Sequence, residues 1–127
     1  MTNENQSLSK EERAGKRLIG WLVSYADDSK GNAYELRVGR ALISKEGESD
    51  ERLMVVKDPS IAAPHAALSG NASHEIYIQD IFTQSGTYVK KGASPLEQKI
   101  EGPTKLEHGD WLRFGEKSRY QVCLIQN

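Results

Sequence analysis

Asp80-Ile81-Phe82-Thr83-Gln84-Ser85-Gly86-Thr87-Tyr88-Val89-Lys90-Lys91-Gly92 is the stretch whose reading decides the fold. Before it, Ile76 and Ile78 alternate with Tyr77 and Gln79 in the period of a strand with one buried face. After the glycine, Thr87, Tyr88 and Val89 are the β-branched and aromatic residues of a second strand. Between them lie an acidic strand end and a short hydroxyl-rich connection, which together predict a rigid loop of the kind on which β domains carry their binding groups. Hydroxyls at Thr83, Ser85 and Thr87, with backbone donors freed around Gly86, can hold an anion or an extended peptide backbone. The same residues equally describe a hydrogen-bonded turn that binds nothing.

Working outward, Leu18, Ile19, Trp21, Leu22, Val23 and Tyr25 form a run too apolar on both faces for an exposed edge, so it predicts a core strand with Trp21 in or beside the core. Asp27-Asp28-Ser29-Lys30-Gly31-Asn32 is a turn by composition, and Tyr34, Leu36 and Val38 then alternate with Glu35, Arg37 and Gly39, which predicts a hairpin. Ala41, Leu42 and Ile43 continue as strand, residues 45–52 are a polar loop, and Leu53, Met54, Val55 and Val56 return to strand. Pro59 and Pro64 forbid regular ladder pairing over 57–64 and mark an exposed connection, followed by a short strand over 65–68 and a turn cluster over 69–73. Beyond Gly92, Leu96 and Ile100 anchor a weak strand, residues 106–115 read as turn and strand with Trp111 in or beside the core, and Tyr120, Val122, Leu124 and Ile125 close the domain. Gly109-Asp110 reads as a turn that sets strand register. Short strands separated by frequent turn signals, with no amphipathic helix, predict an all-β sandwich.

The chain has 127 residues, room for one core. Residues 1–16 hold Met1 and Leu8 as their large apolar side chains and cannot repay the entropy of ordering, so they predict a flexible N-terminal tail ahead of one domain over 17–127. A formal net charge of -1, with acids and bases interleaved, lacks the electrostatic footprint of a nucleic-acid binder. No apolar run approaches the roughly 18 residues of a membrane span, and residues 1–16 lack a signal peptide's apolar stretch. The expectation is a cytoplasmic protein that neither binds nucleic acid nor inserts into a membrane. Cys123, the single cysteine, fits a reducing compartment and reads as core packing within its apolar run. His65, His74 and His108 show no paired metal-ligand spacing, and GxSxG, P-loop and HExxH motifs are absent, so no metal, cofactor or catalysis is expected. His65, at a strand start after Pro64, is expected as a buried imidazole bonded to a neighbouring loop rather than as a general base.

In their order and spacing these segments resemble the forkhead-associated (FHA) domain family, a β-sandwich of about eleven strands whose loops at one end typically bind phosphothreonine peptides. Gly20-Trp21-Leu22-Val23 looks like the family's first strand, Asp58 through His65-Ala66 like its Asp…Ser-Arg-x-His-Ala segment, and Asp80 through Val89 like its Asp-Leu-x-Ser-x-Asn-Gly-Thr-Tyr-Val segment. Leu106, Gly109-Asp110 and Phe114-Gly115 look like its closing signature. The departures fall at the ligand positions. The family's Gly-Arg follows an Ile at a strand end and so corresponds to Ser44-Lys45, with the literal Gly39-Arg40, about five residues earlier, as the weaker alternative. Its phosphate-binding Ser-Arg pair corresponds to Ala62-Ala63, and its peptide-holding Asn to Ser85; Thr83 replaces Ser, while His65, Gly86 and Thr87 are kept. The resemblance implies that His65 supports the loops rather than touching ligand. Loss of a hydroxyl at position 62 and of an Arg fork at position 45 implies a cost of ~3 to 6 kcal/mol, two to four decades of phosphopeptide affinity.

The implied function is an interaction module that engages a protein or peptide partner through its loop end independently of phosphothreonine, the alternative being a phosphothreonine reader in Ser/Thr kinase signalling that uses Arg40 or Lys45 with Thr83 and Ser85. Because residues 1–16 offer little area to bury, their deletion is expected to lower the thermal midpoint by less than about 5 °C, checked by calorimetry; a larger fall would show that the tail docks on the sandwich.

Overall fold

The computed structural model describes residues 16–25, 29–47 and 52–126. They form eleven strands: β1 (Leu18–Ser24), β2 (Asn32–Arg37), β3 (Gly39–Ser44), β4 (Arg52–Val55), β5 (Ala66–Gly70), β6 (Ile76–Asp80), β7 (Thr87–Lys90), β8 (Glu97–Lys99), β9 (Thr104–Leu106), β10 (Trp111–Phe114) and β11 (Ser118–Leu124). One sheet has the order β2-β1-β11-β10-β7-β8, the other β4-β3-β5-β6-β9. β3 and β4 pair in parallel, and the other pairings among the described residues are antiparallel. No helix among the described residues is long and apolar enough to cross a membrane. The expected tail over 1–16 lies outside the described residues apart from Lys16, whose carbonyl accepts a hydrogen bond from Arg37 Nη1 at 2.9 Å.

The core lies between the sheets. Strand alternation sends Ile19 and Leu22, Leu112 and Phe114, and Tyr120 and Val122 inward from the six-stranded sheet to meet Ile43, Leu68, Ile76 and Ile78 from the other. Phe114 and Tyr120 pack ring against ring at 5.8 Å between centroids, and Phe114 also meets the His65 ring edge-on at 5.9 Å. The turn before β10 is fixed by Asp110, whose Oδ2 accepts from the Glu107 amide at 2.8 Å and from Lys91 Nζ at 2.7 Å.

Three expectations about the core are corrected. Trp21 and Trp111 are half-buried on the outer face of the six-stranded sheet, because Leu22 and Leu112 take the inward positions of β1 and β10. Cys123 also faces outward, opposite Trp21, while Tyr120 and Val122 occupy the core. An all-apolar run hides which parity is buried, since either assignment fits. β8 is the weak strand expected between Leu96 and Ile100, with three exposed residues, whereas β9 begins at Thr104, where no strand was expected, because it is too short to show alternation.

These placements separate two aromatic substitutions. Phe114→Ala, at a fully buried position, is expected to cost about 3 to 5 kcal/mol in urea unfolding. Trp111→Ala is expected to cost less than about 2 kcal/mol, because a half-buried ring gives up only part of its transfer free energy.

Candidate partner-binding loop end

One end of the sandwich gathers the residues that follow β3, the connection over 56–65, the connection over 81–86 and the turn between β10 and β11. Ladder-like backbone bonds tie these segments together: the Lys45 amide donates to Ala62 O at 3.0 Å, the His65 amide to Ile43 O at 2.7 Å, and the Ile81 amide to His65 O at 2.9 Å. His65, fully buried, joins two loops through its ring. Its Nδ1 accepts from the Ala62 amide at 3.0 Å, and its Nε2 lies 2.9 Å from Gly86 O. An amide can only donate and a carbonyl only accept, so the imidazole is neutral with its proton on Nε2.

Two carboxylates set the loop conformations. Asp80 accepts from the Thr83 amide at 2.9 Å, from Thr83 Oγ1 at 2.7 Å and from Thr87 Oγ1 at 2.7 Å. Asp58, almost fully buried, accepts from the Ser60 amide and Ser60 Oγ, both at 2.8 Å, and from Ser118 Oγ at 2.6 Å across the domain. Burial opposes ionisation of both, yet the donors more than offset it and hold each pKa below the ordinary carboxylate value of 3.8. Gly115, at φ +65°, lets the β10–β11 turn close against the loop: a Cβ there would sit 2.5 Å from Ser60 Oγ. The Gly115 amide donates to Gly86 O, and the Glu116 amide to Ser60 Oγ.

The structure brings Lys45, Ala62, His65, Thr83, Ser85, Gly86 and Thr87 to this end, with Ala63 exposed at its rim. Ser44 is buried, and its hydroxyl donates to Glu46 O. Arg40 is elsewhere, opposite Ser69 at the other end of β3. About 17 Å of extended chain, at ~3.4 Å per residue, separates it from Lys45. The loop hydroxyls point inward: Thr83 and Thr87 donate to Asp80, Ser85 donates to Ser60 O at 2.7 Å, and Ser60 donates to Asp58. The backbone donor expected to be free at Gly86 is bonded to Thr83 Oγ1 at 2.9 Å. For these groups the hydrogen-bonded turn is the correct description.

Sequence reasoning missed Phe82. It is 98% exposed and adopts φ +50°, a left-handed conformation costly for an aromatic residue. Its ring borders a groove of about 390 Å³ between Ser60, Ile61 and Ala62 on one side and Thr83 and Ser85 on the other. It also borders a second groove of about 420 Å³, with Arg40, Tyr77 and Pro103, on the outer face of the five-stranded sheet. The available signal was an aromatic set between a strand end and a hydroxyl-rich loop, where no alternation demands a core residue.

A two-sheet sandwich that holds a rigid loop cluster at one end is an interaction scaffold by architecture. The FHA domain model matches residues 36–115, and the chain belongs to the FHA domain family, whose members are protein–protein interaction modules that typically bind phosphothreonine. No curated protein sequence matches the chain. Among solved structures, the FHA domain of CT664 from Chlamydia trachomatis superposes with a TM-score of 0.66 at 18% identity, covering 84% of this chain and 96% of that one. The FHA domain of human APLF, in complex with an XRCC1 bisphospho peptide, gives 0.66 at 17% identity, covering 84% and 99%. The FhaA FHA domain, complexed with the intracellular domain of Rv3910, gives 0.59 at 22% identity, covering 82% and 98%. At these identities the likenesses show the fold.

The two carboxylates make the loop end acid-sensitive. Their folded pKa values lie below the unfolded 3.8, so their contribution is complete above that value and is lost as the pH falls through the folded values. Urea midpoints measured between about pH 6 and pH 2 are expected to fall steeply toward the acid end, and Asp80→Asn or Asp58→Asn is expected to flatten that limb while lowering stability at neutral pH.

Proposed function

We propose that the protein is a non-catalytic, cytoplasmic interaction module, with the domain over 17–127 and a flexible tail over 1–16, whose loop end engages a protein or peptide partner independently of phosphothreonine. The observation that carries this reading is the direction of the hydroxyl hydrogens. Thr83 and Ser85 donate to Asp80 and to Ser60 O, and Ala62 and Ala63, which the resemblance aligns with the family's phosphate-binding pair, offer no side-chain donor. A phosphate brought to this end would lose water without recovering the charged hydrogen bonds that compensate it. What the loops present instead is shape and apolar surface, with Phe82 as an exposed anchor beside two grooves. Membership in a family of interaction modules supports a protein or peptide as the partner.

The alternative, a phosphothreonine reader, is favoured by one feature. Lys45 sits beside Ala62 at the loop end and has no ion pair among the described residues, so it supplies a cation without the bidentate fork of an arginine.

Titration of a degenerate phosphothreonine peptide library separates the readings. The wild type is expected to bind with a dissociation constant above roughly 100 μM. The variant Ser44→Gly, Lys45→Arg, Ala62→Ser, Ala63→Arg, Ser85→Asn is expected to gain at least about tenfold, the worth of one recovered charged hydrogen bond. Micromolar, phosphate-dependent binding by the wild type that is lost in Lys45→Ala or Arg40→Ala would establish the alternative.

A further inference from the structure

The outer face of the six-stranded sheet holds features that the loop end does not use. Strand register places Val23, Gln121, Trp111, Lys90 and Glu97 in one row across β1, β11, β10, β7 and β8, with Trp21 and Cys123 beside it. A second row runs from Arg119 through Arg113 and Tyr88 to Lys99. Between Val23, Tyr25, Trp111 and Cys123 lies a cleft of about 530 Å³ with mostly apolar walls, and Lys117 and Arg119 stand on its rim. Tyr25 is 72% exposed and Trp111 half-buried, so two amphipathic aromatic rings border the same opening.

Among the described residues the charge on this face is one-sided. Its acids there are Glu97 and Glu35, and each is already paired: Glu97 with Arg113 at 2.9 Å and Glu35 with Arg37 at 2.9 Å. Lys90, Lys99, Lys117 and Arg119 make no ion pair among the described residues. Two of these cations, Lys117 and Arg119, line the apolar cleft itself, and Lys90 lies opposite Trp111 in the strand register. That pattern selects a ligand with an apolar side chain to fill the cleft and acidic groups on either side of it. A nucleic-acid backbone fits less well, because it requires a continuous line of cations, and the row from Arg119 to Lys99 is interrupted where Arg113 is neutralised by Glu97.

We infer that this face is a second docking surface, which meets the loop end only at Lys117 of the β10–β11 turn, and that it takes an acidic protein segment whose apolar side chain enters the cleft beside Trp111. The domain then contacts two partners, or two parts of one partner, at once. Such bivalency raises overall affinity without any new contact at the loops.

The chain has two tryptophans, so two indole N–H resonances report on this face in a labelled sample of the full chain. The probes are a synthetic peptide of about twelve residues rich in Asp and Glu with one central Leu, the same peptide with Leu→Ser, a Lys-for-acid version, an oligothymidylate and phosphatidylserine vesicles. The acidic Leu peptide is expected to shift the Trp111 indole and leave the Thr83 and Gly86 amides in place. Its affinity is expected to fall about tenfold or more with the Ser peptide, and likewise in the protein variant Lys117→Glu/Arg119→Glu, while the Lys version does not bind. Arg119→Glu alone, at an exposed position, serves if the double variant unfolds. Absence of any Trp111 shift with the acidic Leu peptide overturns the inference. So does equal binding of the Ser peptide, or tighter binding of oligothymidylate or vesicles, since either means that the face responds to negative charge alone.

Discussion

The loop end depends on a single imidazole. His65 is fully buried at the start of β5, and its two ring nitrogens connect the loop that contains Ala62 to the loop that contains Gly86. The Ala62 amide requires a bare Nδ1 and the Gly86 carbonyl requires a proton on Nε2, so each bond fixes one end of the ring. A neutral ring in one tautomer is thus built into the geometry, and the Phe114 ring packed against it ties that geometry to the core. The Asp58 and Asp80 networks hold the same two loops, so the loops form an extension of the packed interior rather than a flexible fringe. In the proposed function that rigidity matters because a preformed loop surface has little ordering entropy left to lose on contact.

Rigidity and chemistry are separable here. His65 bonds to Gly86 O and Thr87 to Asp80, holding the loops, while positions 62, 63 and 85 carry side chains that cannot donate, or that already donate to the protein itself. Even Ser60, at the centre of the loop, has both roles filled: it donates to Asp58 and accepts from the Glu116 amide. The resulting groove is lined by the hydrogen-bonded Ser60, Thr83 and Ser85, by Gln84, and by Ile61, Ala62 and Phe82.

Strands whose inward residues alternate cleanly, such as Ile76 and Ile78 in β6, were legible in the sequence because burial on one face leaves a period of two. β1 and β10 were legible as strands but not as faces, because Trp21 and Trp111 are as apolar as the residues that outcompete them for the core. β8 was legible only as a weak strand between Leu96 and Ile100, and β9 was not legible, being three residues long and held mainly by pairing to β6. At the loop end, Ser44-Lys45, Ala62 and Ser85 could be placed by their spacing from Ile43, His65 and Gly86. The saturation of the hydroxyls could not, because it depends on partners far along the chain, such as Ser118 for Asp58 and Ser60 for Ser85.

The strand order leaves four edges, β2 and β8 in one sheet and β4 and β9 in the other. Each carries charge: Glu35 and Arg37 on β2, Glu97 and Lys99 on β8, Arg52 on β4 and Lys105 on β9. β8 and β9 are also only three residues long. Short, charged borders resist the addition of a foreign strand, which would have to desolvate those side chains to reach the backbone. Among the described residues, addition of a foreign strand at these edges is thus disfavoured, which counts against growth into fibres or open-ended stacks.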